Sequence, residues 1–185
     1  MLNKLYSSIK IFITDCDGTL TDGIYQISEN GGITKSFYTR DFYAIEQIMR
    51  NGIKVVIMTQ SHDDIIYEQV KRILSHSDFW NNCFIEGSLI IKTAIDNKKA
   101  EIERIFEKGV LGWDNIAYIG DAENDLYCIQ NAGFSGCPTD AVPHVRDEAM
   151  YPSDYRGGHG AVHDFCMHLL KKRIIEEQET EDENS

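Results

Sequence analysis

The sequence predicts an α/β fold: a three-layer α/β/α, Rossmann-like parallel sheet with helices on both faces. β-prone apolar runs alternate with amphipathic segments along the chain, which is typical of parallel strands joined by crossover helices. Apolar runs also end in Asp15, Thr59 and Asp121. The carboxyl ends of parallel strands share one edge of the sheet, where such sheets bind ligands, so we expect these residues to meet.

The first half of the chain combines strand, hairpin and helix patterns. We expect a strand at 9–14, a protruding β-hairpin at about 24–38 around an Asn-Gly-Gly turn, a helix at 41–51 closed by Asn-Gly, and a strand at 54–59.

The second half repeats the alternation of helix and strand. In chain order, the expected elements are a helix at 63–75, a short strand at 83–85, a helix at 98–108, a strand at 115–121, a helix near 124–131, a strand near 134–137 and a last helix at 160–176.

The length of 185 residues fits one domain, which we place at residues 1–175. Hydrophobic residues make up 42% of the chain, enough for a substantial core. The net charge is −12, and six acidic residues lie within 176–185. We therefore expect these ten residues to form a frayed or disordered acidic tail.

Composition excludes several classes of partner. An acidic chain without a basic stripe is repelled by nucleic acid backbones, so we expect no nucleic-acid binding. No apolar run approaches the length of about 20 residues needed to span a bilayer, and residues 1–14 lack the features of a signal peptide, so we expect no membrane partner. The five cysteines are scattered without a CxxC pair, which favours reduced thiols and a cytoplasmic location.

The segment Asp15-Cys16-Asp17-Gly18-Thr19 carries the strongest chemical signal. An aspartate at a strand end can attack an electrophile and form an acyl-phosphate, and a second carboxylate two residues later can act as general acid and base. Cys16 reads as a core-facing residue, and Gly18 permits a sharp turn. The alternative is an acidic loop that only keeps the turn solvated.

Four motifs together resemble those of the haloacid dehalogenase-like superfamily of phosphotransferases. Residues 15–19 match its DxDGT motif, Thr59 its second motif, Lys98 its third, and residues 120–125 (Gly-Asp-Ala-Glu-Asn-Asp) its GDxxND motif. The first and fourth motifs are specific when they occur together and in this order, whereas the second and third are weak alone.

This resemblance implies a magnesium site and a nucleophile. Asp15, the backbone carbonyl of Asp17 and Asp121 would supply oxygen ligands to Mg²⁺, the cofactor we expect. Asp15 would attack the phosphorus atom to give an aspartyl-phosphate. Asp17 would protonate the leaving alkoxide and later activate water.

The resemblance also assigns supporting roles. Thr59 and Lys98 would hold the phosphoryl oxygens, while Asn124 and Asp125 would orient Lys98 and the waters on the metal. Thr59 could instead be an ordinary strand-end threonine, Lys99 or Lys92 could take the place of Lys98, and Asp125 could simply stabilise the start of the next helix.

Spacing leaves no room for a cap domain after the first or second motif. The hairpin, Arg40-Asp41 and residues 157–162 narrow the resemblance to the capless branch that dephosphorylates 3-deoxy-octulosonate 8-phosphate and nonulosonate 9-phosphates. That branch forms homotetramers in which hairpins meet centrally. The likeness implies that residues 157–160 enclose a neighbour's substrate and that Arg40 lies near the site, unless it pairs with Asp41 or Asp63 on the surface.

The chain departs from this branch where the substrate is chosen. Thr-Gly-Arg or Thr-Gly-Glu becomes Thr59-Gln60-Ser61, and the C-terminal loop carries His159, followed by His163 and Asp164, in place of the usual residues. Guanidinium binds a carboxylate bidentately and imidazole does not. We take Arg40, Gln60 and His159 as candidate substrate-binding residues.

The leading hypothesis is a Mg²⁺-dependent phosphatase of a sugar-acid phosphate, acting on a small phosphorylated metabolite. Two alternatives stay open among enzymes and near-enzymes: a phosphatase of nonulosonate 9-phosphates or another small metabolite, and a catalytically weak oligomerisation module of sugar-nucleotide metabolism. Nucleic-acid end-processing, known among capless relatives, is disfavoured by the acidic composition.

Overall fold

A computed structural model describes residues 5–106 and 111–183. Its main sheet has six strands in the order β5-β4-β1-β6-β7-β8, and every neighbouring pair is parallel. The strands are β1 (Ile11–Thr14), β4 (Lys54–Met58), β5 (Leu89–Lys92), β6 (Ile116–Ile119), β7 (Phe134–Cys137) and β8 (Tyr151–Pro152). A separate antiparallel hairpin pairs β2 (Gln26–Ile27) with β3 (Ile33–Thr34).

Seven helices accompany the strands within the described residues. They are α1 (Thr39–Arg50), α2 (Ile65–Leu74), α3 (Asp78–Ile85), α4 (Lys98–Phe106), α5 (Leu126–Asn131), α6 (Pro143–Glu148) and α7 (Ala161–Glu183), with short 3-10 turns at Trp113–Asn115 and Glu123–Asp125. Within the described ranges 5–106 and 111–183, none of these helices is long and apolar enough to cross a membrane.

The sheet separates two hydrophobic cores, as the predicted three-layer fold requires. Phe12 of β1 packs with residues of α1 and α7 on one face, whereas Ile11 and Ile13 pack with residues of α4 and α5 on the other. Successive side chains of a strand point to opposite faces, so a strand buried on both sides is apolar throughout. The predicted fold class is therefore confirmed.

Strand register brings the predicted polar residues to one edge. Thr14 of β1 is paired with Ile57 of β4 on one side and with Ile119 of β6 on the other. The three strands consequently end at the same level. The segments that follow them, carrying Asp15, Thr59 and Asp121, meet there.

The strand expected at 83–85 is wrong: these residues end helix α3, and the strand lies at Leu89–Lys92. The hydroxyl of Ser77 caps this helix by accepting a hydrogen bond from the backbone N–H of Trp80. Trp80 and Cys83, three residues apart, are both buried on one helical face. Burial of the indole thus outweighs the β-prone composition. Helix α6 and the edge strand β8 are elements that the sequence analysis does not predict.

Helix α7 runs past the predicted end at residue 176, as far as Glu183. The Glu176 carboxylate accepts hydrogen bonds from the backbone N–H groups of Tyr6 and Ser7, at 2.8–3.2 Å. This contact ties the start of the acidic segment to the body of the domain. Of the other predicted helix bounds, α4 is described to Phe106, and the predicted residues 107–108 lie outside the described ranges.

Candidate active site

Asp15 and Lys98 form the centre of the site. Asp15 follows β1, and Lys98 is the first residue of α4, with a side chain that is only 1% exposed. The Lys98 ammonium lies 2.5 Å from Oδ1 of Asp15 and 2.6 Å from Oδ1 of Asp125. Removing either partner of a buried ion pair leaves an uncompensated charge, which is strongly destabilising. Asp15 and Lys98 are therefore expected to stay together in the folded chain.

Asp125 anchors this pair. Its Oδ1 also accepts a hydrogen bond from the Tyr118 hydroxyl at 2.5 Å, and its Oδ2 accepts from the backbone N–H groups of Asp121 and Ala122 at 3.0 and 3.1 Å. Both oxygens of this fully buried carboxylate are therefore occupied. Asp125 orients Lys98 and the loop that carries Asp121, which is more than stabilising the start of a helix.

The rival lysines point elsewhere. The Lys99 ammonium lies over the Tyr127 ring, 4.3 Å from its centroid, and 4.0 Å from the Glu103 carboxylate. Lys92 pairs with Glu101 at 3.0 Å. Of the three candidates, Lys98 is the one that reaches Asp15.

Negative charge exceeds positive charge at this edge. Burial, followed by the nearby charge of Asp125, raises the pKa of Asp15 well above its ordinary value despite the opposing effect of Lys98. The same two causes raise the pKa of Asp121 to about 6. Burial would lower the pKa of Lys98, but the charges of Asp15 and Asp125 outweigh it and raise that pKa. A further cation beside these carboxylates would stabilise their ionised forms.

The residues present fit a divalent cation. One carboxylate oxygen from each of Asp15, Asp121 and Asp125 lies within 4.8 Å of the others. Since both Asp125 oxygens are already hydrogen-bonded, Asp15 and Asp121 are the side chains free to bind an ion. Hard oxygen donors of this type suit Mg²⁺. The contribution of the Asp17 backbone carbonyl stays a prediction.

Gly18 makes room for the Asp121 side chain. It has φ +91°, and a Cβ built on it would lie 2.2 Å from Oδ2 of Asp121. The hydroxyl of Thr19 donates a hydrogen bond to Oδ1 of Asp121 at 3.1 Å. The first and fourth motifs therefore fit against each other through a position that only glycine can occupy.

Asp17 is held by two side chains. The Thr59 hydroxyl donates a hydrogen bond to its Oδ2 at 3.0 Å, and the Lys35 ammonium lies 2.6 Å from its Oδ1. Sequence reasoning missed Lys35. Its signal is weak: a single lysine directly after a β-prone run of the hairpin, which gains meaning only once the hairpin folds over the sheet edge.

A cavity of about 460 Å³ opens beside Asp17. Apolar side chains of the hairpin line one side, and polar side chains after Thr59 line the other. The lining residues are Asp17, Gly23, Tyr25, Ile27, Ile33, Lys35, Ser61, His62 and Asp63. We call this cavity the vestibule.

The Asn124 side chain contacts Gln60, whereas the resemblance implies a role toward Lys98. Its side-chain amide donates a hydrogen bond to Oε1 of Gln60 at 3.2 Å, and both residues are exposed at the rim of the site. Lys98 is bound by Asp15 and Asp125, and the expected role of Asn124 toward Lys98 and the waters on the metal stays a prediction. Gln60 thus lies at the rim, while its role toward substrate stays a prediction.

Arg40 is exposed, with its guanidinium 6.0 Å from the centroid of the Tyr38 ring. Neither acidic partner considered for it fits: Asp41 is buried and accepts a hydrogen bond from the backbone N–H of His163 at 2.8 Å, and Asp63 pairs with Lys35 at 2.5 Å. Arg40 is also not among the residues that line the vestibule. Its proximity to substrate stays a prediction.

The glycine-rich loop at 157–160 packs on the DxDGT loop of its own chain. The backbone N–H of Gly158 donates to the carbonyl of Thr19 at 3.0 Å, and a Cβ on Gly157 would lie 1.8 Å from the Gly18 carbonyl oxygen. Nδ1 of His159 lies 2.9 Å from the carbonyl oxygen of Gly157. The loop therefore packs directly against the DxDGT loop, whereas its approach to a neighbour's substrate stays a prediction.

Known proteins resemble this chain over most of its length. It is 29% identical over 163 residues to 3-deoxy-D-manno-octulosonate 8-phosphate phosphatase KdsC of Escherichia coli K12, covering 88% of this chain and 80% of that protein. It is 30% identical over 173 residues to N-acylneuraminate cytidylyltransferase A of Danio rerio, of which it spans only 37%. No protein-family model matches the chain.

Solved structures share the fold. A HAD superfamily (subfamily III A) hydrolase from Legionella pneumophila superposes with a TM-score of 0.79 and 27% identity over 93% of this chain and 89% of that one. The 3-deoxy-D-manno-octulosonate 8-phosphate phosphatase from Moraxella catarrhalis, in complex with magnesium ion, phosphate ion and KDO, gives a TM-score of 0.77 and 28% identity over 92% of each chain.

Proposed function

We propose that the substrate of this chain is a sugar-acid phosphate similar to 3-deoxy-octulosonate 8-phosphate. The proposal starts from the membership of the chain in the haloacid dehalogenase-like superfamily and from its nature as a phosphoric monoester hydrolase. One observation carries the phosphoryl chemistry of the proposal: Asp15, Lys98, Asp125 and Asp121 converge at one sheet edge, with Asp17 beside them at the vestibule.

The arrangement supports phosphoryl transfer through an aspartyl-phosphate. Mg²⁺ held by Asp15 and Asp121, with the Asp17 carbonyl, would neutralise the charge of the phosphate. Asp15 attacks the phosphorus atom, and the ester P–O bond breaks as its electron pair goes to the leaving oxygen. Asp17 donates a proton to that oxygen and then accepts one from the water that cleaves the intermediate.

Two further side chains assist. Lys98 lies against Asp15 and would stabilise negative charge on the phosphoryl oxygens as it develops. Thr59 donates the one hydrogen of its hydroxyl to Asp17 at 3.0 Å, and in this arrangement it would assist by orienting that carboxyl group. The positions of these side chains and the resemblance of the motifs support the proposed roles.

The substrate class rests on the relatives. The Escherichia coli and Moraxella catarrhalis proteins are named for a sugar-acid phosphate, and the Danio rerio protein for another sugar acid. Gln60, Ser61 and His159 replace residues usual in that branch, so a nonulosonate 9-phosphate or another small phosphate ester is the alternative. These replacements also motivate the alternative that the chain is a catalytically weak oligomerisation module. The intact network of Asp15, Lys98 and Asp125 disfavours that alternative.

We also propose that the chain forms homotetramers through its hairpin. Ile24, Tyr25, Ile27 and Ile33 are exposed on it, which is unusual for large apolar side chains unless another surface covers them.

The five cysteines are all free and buried, which supports the proposed cytoplasmic location.

A panel of phosphate esters tests the proposal. We expect Mg²⁺-dependent phosphate release from a generic aryl phosphate and the highest kcat/KM for a sugar-acid phosphate; EDTA should abolish both activities and added Mg²⁺ should restore them. Full activity in EDTA, or in Asp15→Asn, would refute the mechanism. A higher kcat/KM for another ester would refute the substrate class alone. Undetectable turnover of every ester, together with weak Mg²⁺ binding, would favour the inactive module.

A further inference from the structure

The geometry points to Lys35 as a positioning residue that fixes the carboxylate of Asp17 for proton transfer to the leaving group. This inference rests on the proposed phosphatase function. It concerns a residue of the hairpin, outside all four motifs, whose contacts reach into the site.

Lys35 is buried although the hairpin that carries it is exposed. Its side chain, directly after β3, is 5% exposed. The ammonium lies 2.6 Å from Oδ1 of Asp17, 2.5 Å from Oδ2 of Asp63 and 3.4 Å from the Ser61 hydroxyl. An ammonium has three N–H donors, and these three contacts use them all. Lys35 therefore has no donor left for a substrate oxygen, which disfavours a direct role in binding.

Asp63 fixes the far end of this contact. Its Oδ1 accepts a hydrogen bond from the backbone N–H of Ile65 at 3.1 Å, at the start of α2, and its Oδ2 accepts from the Ser61 hydroxyl at 2.5 Å. The carboxylate of Asp63 is thus tied to the backbone. Lys35 transmits that fixed position to Asp17, which would otherwise face Asp63 with a like charge.

Both oxygens of Asp17 are consequently held, Oδ1 by Lys35 and Oδ2 by Thr59. The side chain of Asp17 is 31% exposed, so without Lys35 it could turn toward water in the vestibule. A misplacement of about 1 Å in a reacting group can cost roughly 100-fold in rate.

This role has a chemical signature. When the ester bond breaks, its electron pair goes to the leaving oxygen. An alkoxide must take the proton of Asp17 as it leaves, whereas a nitrophenolate is stable without one. General-acid catalysis is worth about 100- to 10,000-fold for leaving groups that need a proton. Loss of Asp17 positioning should therefore slow alkyl esters selectively.

The experiment compares first-turnover alcohol release from an alkyl phosphate and from p-nitrophenyl phosphate, by rapid quench, in Lys35→Met and the wild-type chain. Lys71→Met is the matched control, because Lys71 is 74% exposed and pairs with Glu68 on the surface of α2. We expect Lys35→Met to slow the alkyl ester about 100-fold, with KM and the nitrophenyl burst rate each changed less than about threefold.

Three results would overturn the role of Lys35: an equal loss of rate on both esters, a raised KM for both, or no loss on either. An equal loss would mean that Lys35 supports the site generally, and a raised KM that it binds substrate. If Lys35→Met does not fold, as judged by circular dichroism, Asp63→Asn replaces it, with a smaller loss expected on the alkyl ester alone. A wild-type chain inactive on both esters would refute the proposed function instead.

Discussion

The buried sheet edge and the exposed hairpin are built in opposite ways. At the edge, Lys98 and Asp125 are buried and their polar atoms are bound by Asp15, Tyr118 and backbone N–H groups. On the hairpin, large apolar side chains extend into solvent: Ile24, just before β2, is 68% exposed and Ile27, within β2, is 67% exposed. The first region is complete within one chain, whereas the second presents a surface that another molecule could cover.

This difference separates chemistry from recognition. A satisfied, buried network fixes Asp15, the proposed nucleophile, and its neighbours in a single geometry, which is what catalysis of one reaction type requires. Tyr25, Ile27 and Ile33 of the vestibule wall are not among the hydrogen-bond partners of that network. Lys35 is the exception, because it belongs to the hairpin and contacts Asp17.

The largest effect is expected from breaking the buried network. Lys98→Met leaves Asp15, Asp121 and Asp125 without their shared cation, so we expect roughly 100- to 1,000-fold lower kcat and about 3–5 kcal/mol lower unfolding free energy in metal-free buffer at neutral pH. Steady-state kinetics and urea denaturation measure the two losses. Lys99→Met, on the same turn of α4 but over Tyr127, is the control. Similar losses in both variants would contradict the assignment of Lys98.

A smaller effect on stability is expected at Asp41, a buried carboxylate that lies outside the sheet edge. It tests whether burial without a lysine partner raises the pKa of a carboxyl group. Asp41 lies beneath the start of α7 without a lysine partner, and burial raises its pKa to about 7, against weaker opposing effects of the His163 N–H, the His159 charge and the Gly160 N–H. The folded chain then retains a proton that the unfolded chain has already released. Stability should fall as pH rises through this window and level off above it.

Asp41→Asn removes the ionisable group but keeps the contact, since the amide oxygen can still accept a hydrogen bond from the backbone N–H of His163. Between about pH 4 and pH 8, we expect the unfolding free energy of the wild type to fall roughly 3 kcal/mol more than that of the variant. Urea denaturation across this range measures the difference. Parallel profiles for the two chains would show that Asp41 ionises normally in the folded state.

The smallest effect on chemistry is expected at the hairpin. Ile24→Asp places a charge on the exposed apolar face outside the vestibule lining, so we expect the proposed tetramer to dissociate while turnover of a small aryl phosphate changes less than about threefold. Light scattering after size exclusion gives the mass. Glu29→Gln, an exposed polar change on the same hairpin, is the control. An unchanged mass for Ile24→Asp would place the assembly surface elsewhere.

Local patterns predict the sheet edge well because its residues end strands. Asp15, Thr59 and Asp121 each follow an apolar run, and parallel pairing alone brings such residues together. Lys98 was identified by its motif rather than by its helix, and the structure explains why Lys99 fails: it is one residue further round α4 and lies over Tyr127.

Contacts between distant segments are what local patterns miss. Lys35 gains its role only when the hairpin folds over Asp17, and Asn124 reaches Gln60 across two loops. Residues 83–85 look like a strand, yet the Ser77 cap and burial of Trp80 make them helical. In each case a long-range or capping interaction outweighs the local preference.

The most direct test of the central claim is the mass of the protein during turnover. Wild-type chain mixed with Mg²⁺ and an aryl phosphate, quenched in acid and digested, should yield the peptide containing Asp15 with the added mass of one phosphoryl group. The adduct should disappear in Asp15→Asn and in EDTA. Rapid phosphate release without any adduct on that peptide, or an adduct that survives in Asp15→Asn, would contradict the account.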